Sequence, residues 1–245
     1  MLSAMVLPAE ASPQERYVFK PSFGSSHHWA LAQIVGRMTG KRVLDIGAGG
    51  GNIGRMIRPE GPRELVAVEI DTRAHPLLSK TYTEVHTSIE PLSGRQFDYV
   101  LLLDLLEHLS DPFDFIQRLQ PLLAPGARLV ISVPNVAHWS VRIPLFFLGR
   151  FEYRSRGILD QTHLFFFTRK RLRDLCTSIP GATLESVSAS IEPVELALPR
   201  WVSNNAIFQG LARVRKVVAE LLPGLMAYQL LTVVRVQETT SEASA

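Results

Sequence analysis

The sequence is poor in cysteine. Among 245 residues only Cys176 is one, which excludes a disulfide scaffold and a cysteine-built zinc site. Long apolar runs are missing as well. The nearest, Tyr99 to Leu103 and Ile143 to Leu148, fall far short of the roughly 18 residues that span a bilayer. No stable membrane insertion is expected, although peripheral contact stays on the table. Lysine is scarce (Lys20, Lys41, Lys80, Lys170, Lys216), so the basic side is mostly arginine, suited to planar recognition of carboxylates and phosphates. The net charge of +3 is mild. A dedicated nucleic-acid binder concentrates more positive charge, and no nucleic-acid partner is expected. Charged residues make up only 20% against 46% hydrophobic, which excludes wholesale disorder. Internal repeats and long linkers are absent. The first residues, MLSAMVLPAEASPQER, lack a cationic segment and are interrupted at Pro8 and Glu10, so no secretory signal is read and a cytoplasmic location is expected.

What is present is an alternation of strands and helices. Ser25 to Met38 has near-helical apolar spacing with Ser25 or Ser26 as N-cap. RVLDIG, Glu64 to Ile70, Glu84 to Thr87, Phe97 to Leu103 and Arg128 to Val133 read as buried strands. Asn52 to Arg58 reads as a helix stopped at Pro59. Asp111-Pro112 pairs an N-cap with proline at the first helical position, opening a helix through Ile116, Leu119 and Leu123. Pro125-Gly126 reads as a turn. Thr168 caps a helix through Leu172, Leu175 and Cys176. Thr183 to Ile191 alternates as a strand, Ile207 to Leu222 is amphipathic, with Trp201, Phe208, Leu211, Val214, Val217, Val218 and Leu221 as the apolar face expected to pack over the sheet, and Tyr228 to Val236 is a last strand. This order predicts an α/β fold: a doubly wound, mostly parallel sheet in one domain with insertions. Ligands then bind beyond the carboxyl ends of the strands. Residues 1–40 are expected to form an extension and helix, 41–236 the domain, with insertions at about 137–167 and 192–225, and 237–245 a flexible tail.

The run Val43 to Gly54 (VLDIGAGGGNIG) leaves the first strand and enters a helix. Gly49, Gly51 and Gly54 satisfy G-x-G-x-x-G in one register, which a dinucleotide-dependent oxidoreductase would also show. Asp45, two residues before the first glycine, adds negative charge where a pyrophosphate is unwelcome and an amino group or cationic cofactor is accepted. Glu69, at the end of the second strand, is placed to accept hydrogen bonds from two ribose hydroxyls.

VLDIGAGGGNIG, VAVEID, FDYVLLLDLLEHLSDP and LAPGARLVISVPN stand in order over about residues 41 to 135. Together they resemble the class I S-adenosylmethionine-dependent methyltransferases. The segments around Pro134-Asn135 and Asp160-Gln161-Thr162-His163 are similar to a bacterial small-molecule subgroup of ubiquinone and methionine-W type. The resemblance implies a Rossmann-like seven-stranded sheet with an antiparallel last strand. It implies S-adenosylmethionine as cofactor, with Asp45, Gly47, Ala48, Gly49 and Asn52 around its methionine and ribose. Glu69 would hold the ribose hydroxyls and Ile70 would lie against adenine. Ser88 stands where the family commonly has an acid near adenine N6. Asp104 and Leu105 would face the methionine end, and His27 belongs to a helix that closes over cofactor in many such enzymes. Base-methylating enzymes carry Asn/Asp-Pro-Pro-Tyr where this chain has Asp104-Leu105-Leu106-Glu107.

The implied reaction is methyl transfer to a small-molecule acceptor, at oxygen, in a biosynthetic pathway. A non-catalytic cofactor-binding module is the alternative of a different class. An oxygen nucleophile needs a proton acceptor, and histidine is the natural one near neutral pH. His163 is the first candidate, with Asp160 placed to orient it, and His108 the second. His138, Trp139, Arg142 and Arg154 are the candidate acceptor contacts. No metal-ligand set is read from the sequence, and a monomer or homodimer is expected.

Overall fold

In the computed structural model, residues 23–192 and 205–237 are described. Residues 1–22 of the expected N-terminal extension, Trp201 and residues 238–245 of the expected tail lie outside them.

Seven strands form one sheet: β1 (Arg42–Ile46), β2 (Glu64–Val68), β3 (Glu84–His86), β4 (Phe97–Leu103), β5 (Leu123–Pro134), β6 (Ala182–Ala189) and β7 (Gln229–Val236). Their order is β3-β2-β1-β4-β5-β7-β6. All neighbouring pairs are parallel except those of β7, which runs antiparallel to both β5 and β6. The fold is thus the expected Rossmann-like sheet with its last strand reversed. The order turns at β1 and β4, which opens a crevice between their carboxyl ends.

The helices are α1 (Ser26–Ile34), α2 (Asn52–Ile57), α3 (His75–Leu78), α4 (Pro112–Leu119), α5 (Trp139–Leu148), α6 (Arg169–Thr177), α7 (Ala206–Leu221) and α8 (Pro223–Met226). Three start as the sequence indicates. The Ser25 side chain accepts from His28 N, Asp111 from Phe113 N and Asp114 N, and Thr168 from Arg171 N. Period-two alternation sorts the strands into two cores. Leu44, Ile46, Val100, Leu102, Leu129 and Ile131 face α4 and α6. Val43, Leu65, Tyr99, Leu101 and Val130 face α1, α2 and α3.

Four details differ from the expectations. β2 stops at Val68, so Glu69 lies in the loop beyond it. Leu123 begins β5 instead of extending α4, and Pro125-Gly126 bulges out inside that strand, where Phe97 pairs with Leu123 and Tyr99 already with Arg128. Trp139–Leu148 is a helix that no cap residue announces: the His138 ring, rather than Ser, Thr, Asp or Asn, accepts from Ser140 N. The amphipathic face of α7 is turned about. Small Ala212 and Ala219 are buried, while Leu211, Val214, Val217 and Leu221 are exposed. No described helix is long and apolar enough to cross a membrane.

Candidate active site

The carboxyl edge is built in two halves. On the first, Gly47 to Gly51 leaves β1 and turns into α2. Gly51 caps α2 at φ +71, and a Cβ there would stand 2.8 Å from Leu78, so a side chain is excluded twice over. A Cβ on Gly54 would meet the Tyr82 ring at 2.3 Å, which lets α2 lie directly on that ring. Tyr82 in turn donates its hydroxyl to Asp45 Oδ2 at 2.5 Å. The glycines therefore serve packing as well as the turn.

The two acids of this half are buried. Glu69 accepts from Gly49 N at 2.7 Å and from Asp71 N at 2.9 Å, tying the loop after β1 to the loop after β2. Burial raises its carboxyl pKa against the pull of those two N–H groups. Burial likewise pushes Asp45 up to about 6, despite the Tyr82 hydrogen bond and helped by the nearby Glu69 charge. Neither forms an ion pair among the described residues. Two buried carboxylates lacking a cationic partner fit a ligand that brings positive charge and hydroxyl donors.

Ala48 and Ile70 are half-buried beside these acids, and Asn52 opens α2, where Arg55 donates to its side-chain oxygen. Ser88 is half-buried and hydrogen-bonds Glu90. His27 lies in the first turn of α1, which packs against α2. Leu105 reaches across from β4, with Cδ1 3.1 Å from where a Gly47 Cβ would stand, so the ends of β1 and β4 meet.

Asp104 marks the middle of the edge. Its φ of +52 is the one positive value on a non-glycine residue among the described residues. That left-handed backbone is uncommon and is held here by surrounding structure. Ser132 Oγ donates to Asp104 Oδ1 at 2.5 Å and Gln229 Nε2 donates to it at 2.7 Å, while Asp104 N donates to Ser132 O and Oγ. Ser132 and Gln229 were not legible as site residues. They come from β5 and β7, and nothing local in their sequence marks them.

The second half is assembled from segments far apart in the chain. His108 and His163 meet edge-to-face, ring centroids 4.9 Å apart. His108 Nδ1 lies 3.2 Å from Thr162 O and His163 Nδ1 2.9 Å from Ile158 O. Carbonyl partners assign the proton to Nδ1 in both rings and leave each Nε2 with its lone pair. Burial lowers both pKa values, and His108 adds to the effect on His163, so both imidazoles are neutral at neutral pH. Asp160 does not orient His163 as expected. Its Oδ1 accepts from Thr162 N and Oγ1 at 2.9 and 2.7 Å, while the Ile158 carbonyl holds the ring. Glu107, missed in the sequence, is buried beside them. Its backbone oxygen accepts from Leu164 N and Phe165 N, which fastens the 158–167 segment to the end of β4.

His138 is brought elsewhere. It is buried, its ring edge-on to Tyr228 at 5.7 Å, and lines a hollow of about 200 Å³ with Trp139, Glu192, Val214 and Arg215. Its Nδ1 lies 2.8 Å from Ser140 Oγ and accepts from Ser140 N at 3.3 Å; a backbone N–H can only donate, which assigns the proton to Nε2. His138 therefore offers a donor to that hollow and is unsuited to take a proton. Burial and Arg215 hold its pKa down at about 4. Arg142 and Arg154 are exposed, as are Phe146 and Phe147 near the end of α5.

Comparison with known proteins gives the following. The family described as "Methyltransferase domain" matches residues 29–179. A ubiquinone biosynthesis O-methyltransferase of Psychrobacter cryohalolentis is 28% identical over 196 residues, 74% of each chain. One from Xanthomonas campestris is 34% identical over 110 residues, covering 40% of this chain and 45% of that protein. The latter match thus spans less than half of its relative. Among solved structures, an S-adenosylmethionine-dependent methyltransferase from Archaeoglobus fulgidus superposes with a TM-score of 0.54 at 20% identity, covering 86% of this chain and 94% of that one. That likeness bears on the fold.

Proposed function

The chain belongs to the class I S-adenosylmethionine-dependent methyltransferases, and from that premise we propose that it methylates a small-molecule acceptor at oxygen. The observation carrying this reading is the pair of neutral histidines, His108 and His163, whose Nε2 lone pairs sit on the carboxyl edge near Asp104. An amine acceptor attacks with its own lone pair and has less need of a base. The relatives named as ubiquinone O-methyltransferases support the same class of acceptor atom, without naming this chain's acceptor.

The bound cofactor supplies an electrophilic methyl group on a sulfonium. The chain's own residues do the rest. In this reading Asp45 and Glu69, with Gly47, Ala48, Gly49 and Asn52, hold the cofactor's polar half, and Ile70, Ser88, Leu105 and His27 border it. Asp104, fixed by Ser132 and Gln229, presents a rigid carboxylate at the methionine end. His163 takes the acceptor's hydroxyl proton at Nε2 with His108 beside it, and the buried setting excludes competing water. His138 donates from Nε2 to an acceptor oxygen, and Trp139, Arg142 and Arg154 flank the approach. Residues 41–236 act as the catalytic domain, with the insertions at about 137–167 and 192–225 forming the acceptor side.

The test is incubation with a methyl-deuterated cofactor and a panel of small phenols, carboxylic acids, sugars and amines, read by mass spectrometry. Label on oxygen is expected. Label confined to nitrogen or carbon would reject the reading.

A further inference from the structure

Helix α7 is 16 residues long and carries its large apolar side chains outward. Its inner side is made of the small Ala212 and Ala219, both buried, and of Lys216, which donates to Ser188 Oγ and Ala189 O. On the opposite side Leu211, Val214 and Leu221 are 57%, 59% and 74% exposed, with Val218 half-buried in line with them. These four positions follow one another by three, four and three residues. That is the seam spacing with which two helices interlock their side chains. A surface helix ordinarily turns such a stripe to the core, and leaving it in water is costly.

We propose that α7 is the contact between two copies of this chain, packed antiparallel about a two-fold axis. A two-fold interface uses the same patch on both copies, so one seam is enough. The charges agree with the seam. In the register that stacks Leu211 on the second copy's Leu221, and Val214 on its Val218, Arg213 falls beside the second copy's Glu220, within one residue of level. Arg213 and Glu220 are exposed and, seven residues apart, lie on one side of the helix. A parallel pair would set Arg213 against Arg213 and Glu220 against Glu220. Arg215, on the other flank, is drawn back to the Glu192 carbonyl and stays out of the seam. A stable complex buries about 800 Å² per partner, of which a helix about 24 Å long supplies a part. Trp139 shares the His138 hollow with Val214 and Val218 and carries the apolar surface on to the exposed Ile143 of α5. A lipid bilayer needs neither the seam spacing nor the matching acid. Because Val214 and Val218 belong to both seam and hollow, the second copy comes to lie along the rim of that hollow.

The test is sedimentation equilibrium of the full-length protein over a wide concentration range, with S-adenosylhomocysteine binding as the check of folding. A two-chain species whose share rises with concentration is expected. Leu211→Glu and Leu221→Glu should each weaken pairing at least about tenfold, and Leu221→Ser serves where either fails to fold. Arg213→Glu should weaken it about two- to tenfold, and Arg213→Glu combined with Glu220→Arg should recover it. A single-chain mass at every concentration, pairing unchanged in leucine variants that still bind S-adenosylhomocysteine, or no recovery on charge exchange would overturn the proposal. A single chain that co-sediments with phosphatidylglycerol vesicles would give the face to lipid and overturn it as well. None of these readouts involves an acceptor, so the pairing and the O-methylation stand or fall separately.

Discussion

The two halves of the carboxyl edge are built on opposite plans. The first is one continuous stretch plus a single acid: Asp45, Gly47, Gly49 and Gly51 follow one another, and Glu69 Oε2 reaches across to Gly49 N. Its precision comes from backbone. The second joins Glu107 and His108, beyond β4, to His163 some fifty residues later, and fixes its rings on carbonyls of the 158–162 segment. Its precision comes from side chains docked across the fold. A backbone cradle suits a ligand that never changes, and an assembled pocket on inserted segments suits one that varies between relatives.

Substitutions on the two halves should therefore separate binding from turnover. The largest effect belongs to the assembled half. His163→Ala should lower kcat by about 10²–10⁴-fold, the range for loss of a general base, and leave the S-adenosylhomocysteine Kd nearly unchanged. Turnover close to normal would break the comparison. The wild-type rate should also fall on acidification only below the ordinary histidine value of 6.5, because burial lowers both rings. A pH–rate profile shows whether it does.

Next comes the cradle. Glu69→Ala removes a buried acceptor and strands the N–H groups of Gly49 and Asp71. Cofactor-product affinity measured by calorimetry should drop about 10- to 100-fold, the worth of a charge-assisted hydrogen bond. Chemistry on saturated enzyme should suffer far less, and an equal loss in kcat would blur the division.

Gly54→Ala probes the scaffold beneath both. Its Cβ would press on Tyr82 at 2.3 Å, an overpacking cost of about 1–3 kcal/mol. For a chain of this size that lowers Tm by roughly 2–12 °C. The smallest effect is a gain. Asp45 is raised to about 6 from 3.8, so its buried charge burdens the empty fold above pH 6 and not below pH 4. Asp45→Asn keeps an acceptor for Tyr82, and calorimetry should show Tm higher by a few degrees at pH 8 with the gain vanishing near pH 4. The same variant should bind cofactor more weakly. A pH-independent Tm difference would mean that Asp45 carries no such burden.

The halves also differ in how far they were legible. VLDIGAGGGNIG reads correctly because consecutive residues make the turn and its glycines are needed where they stand. Asp160 was misread as the partner of His163 because adjacency in sequence does not say which way a short side chain turns. The face of α7 was misread because burial there follows the small Ala212 and Ala219, which let the helix lie close, and not the large apolar residues. Helix α5 went unseen because its cap is the His138 ring and it carries Pro144 inside.

By itself, then, the sequence determined the strand order's chemistry: alternating apolar runs, three helix caps and a glycine turn, each set by neighbours a few residues apart. Only the tertiary structure decided the proton-handling side. Whether a histidine there accepts or donates depends on which atom its other nitrogen meets, a carbonyl for His108 and His163 and an amide for His138. Those partners are chosen by the packing of the chain.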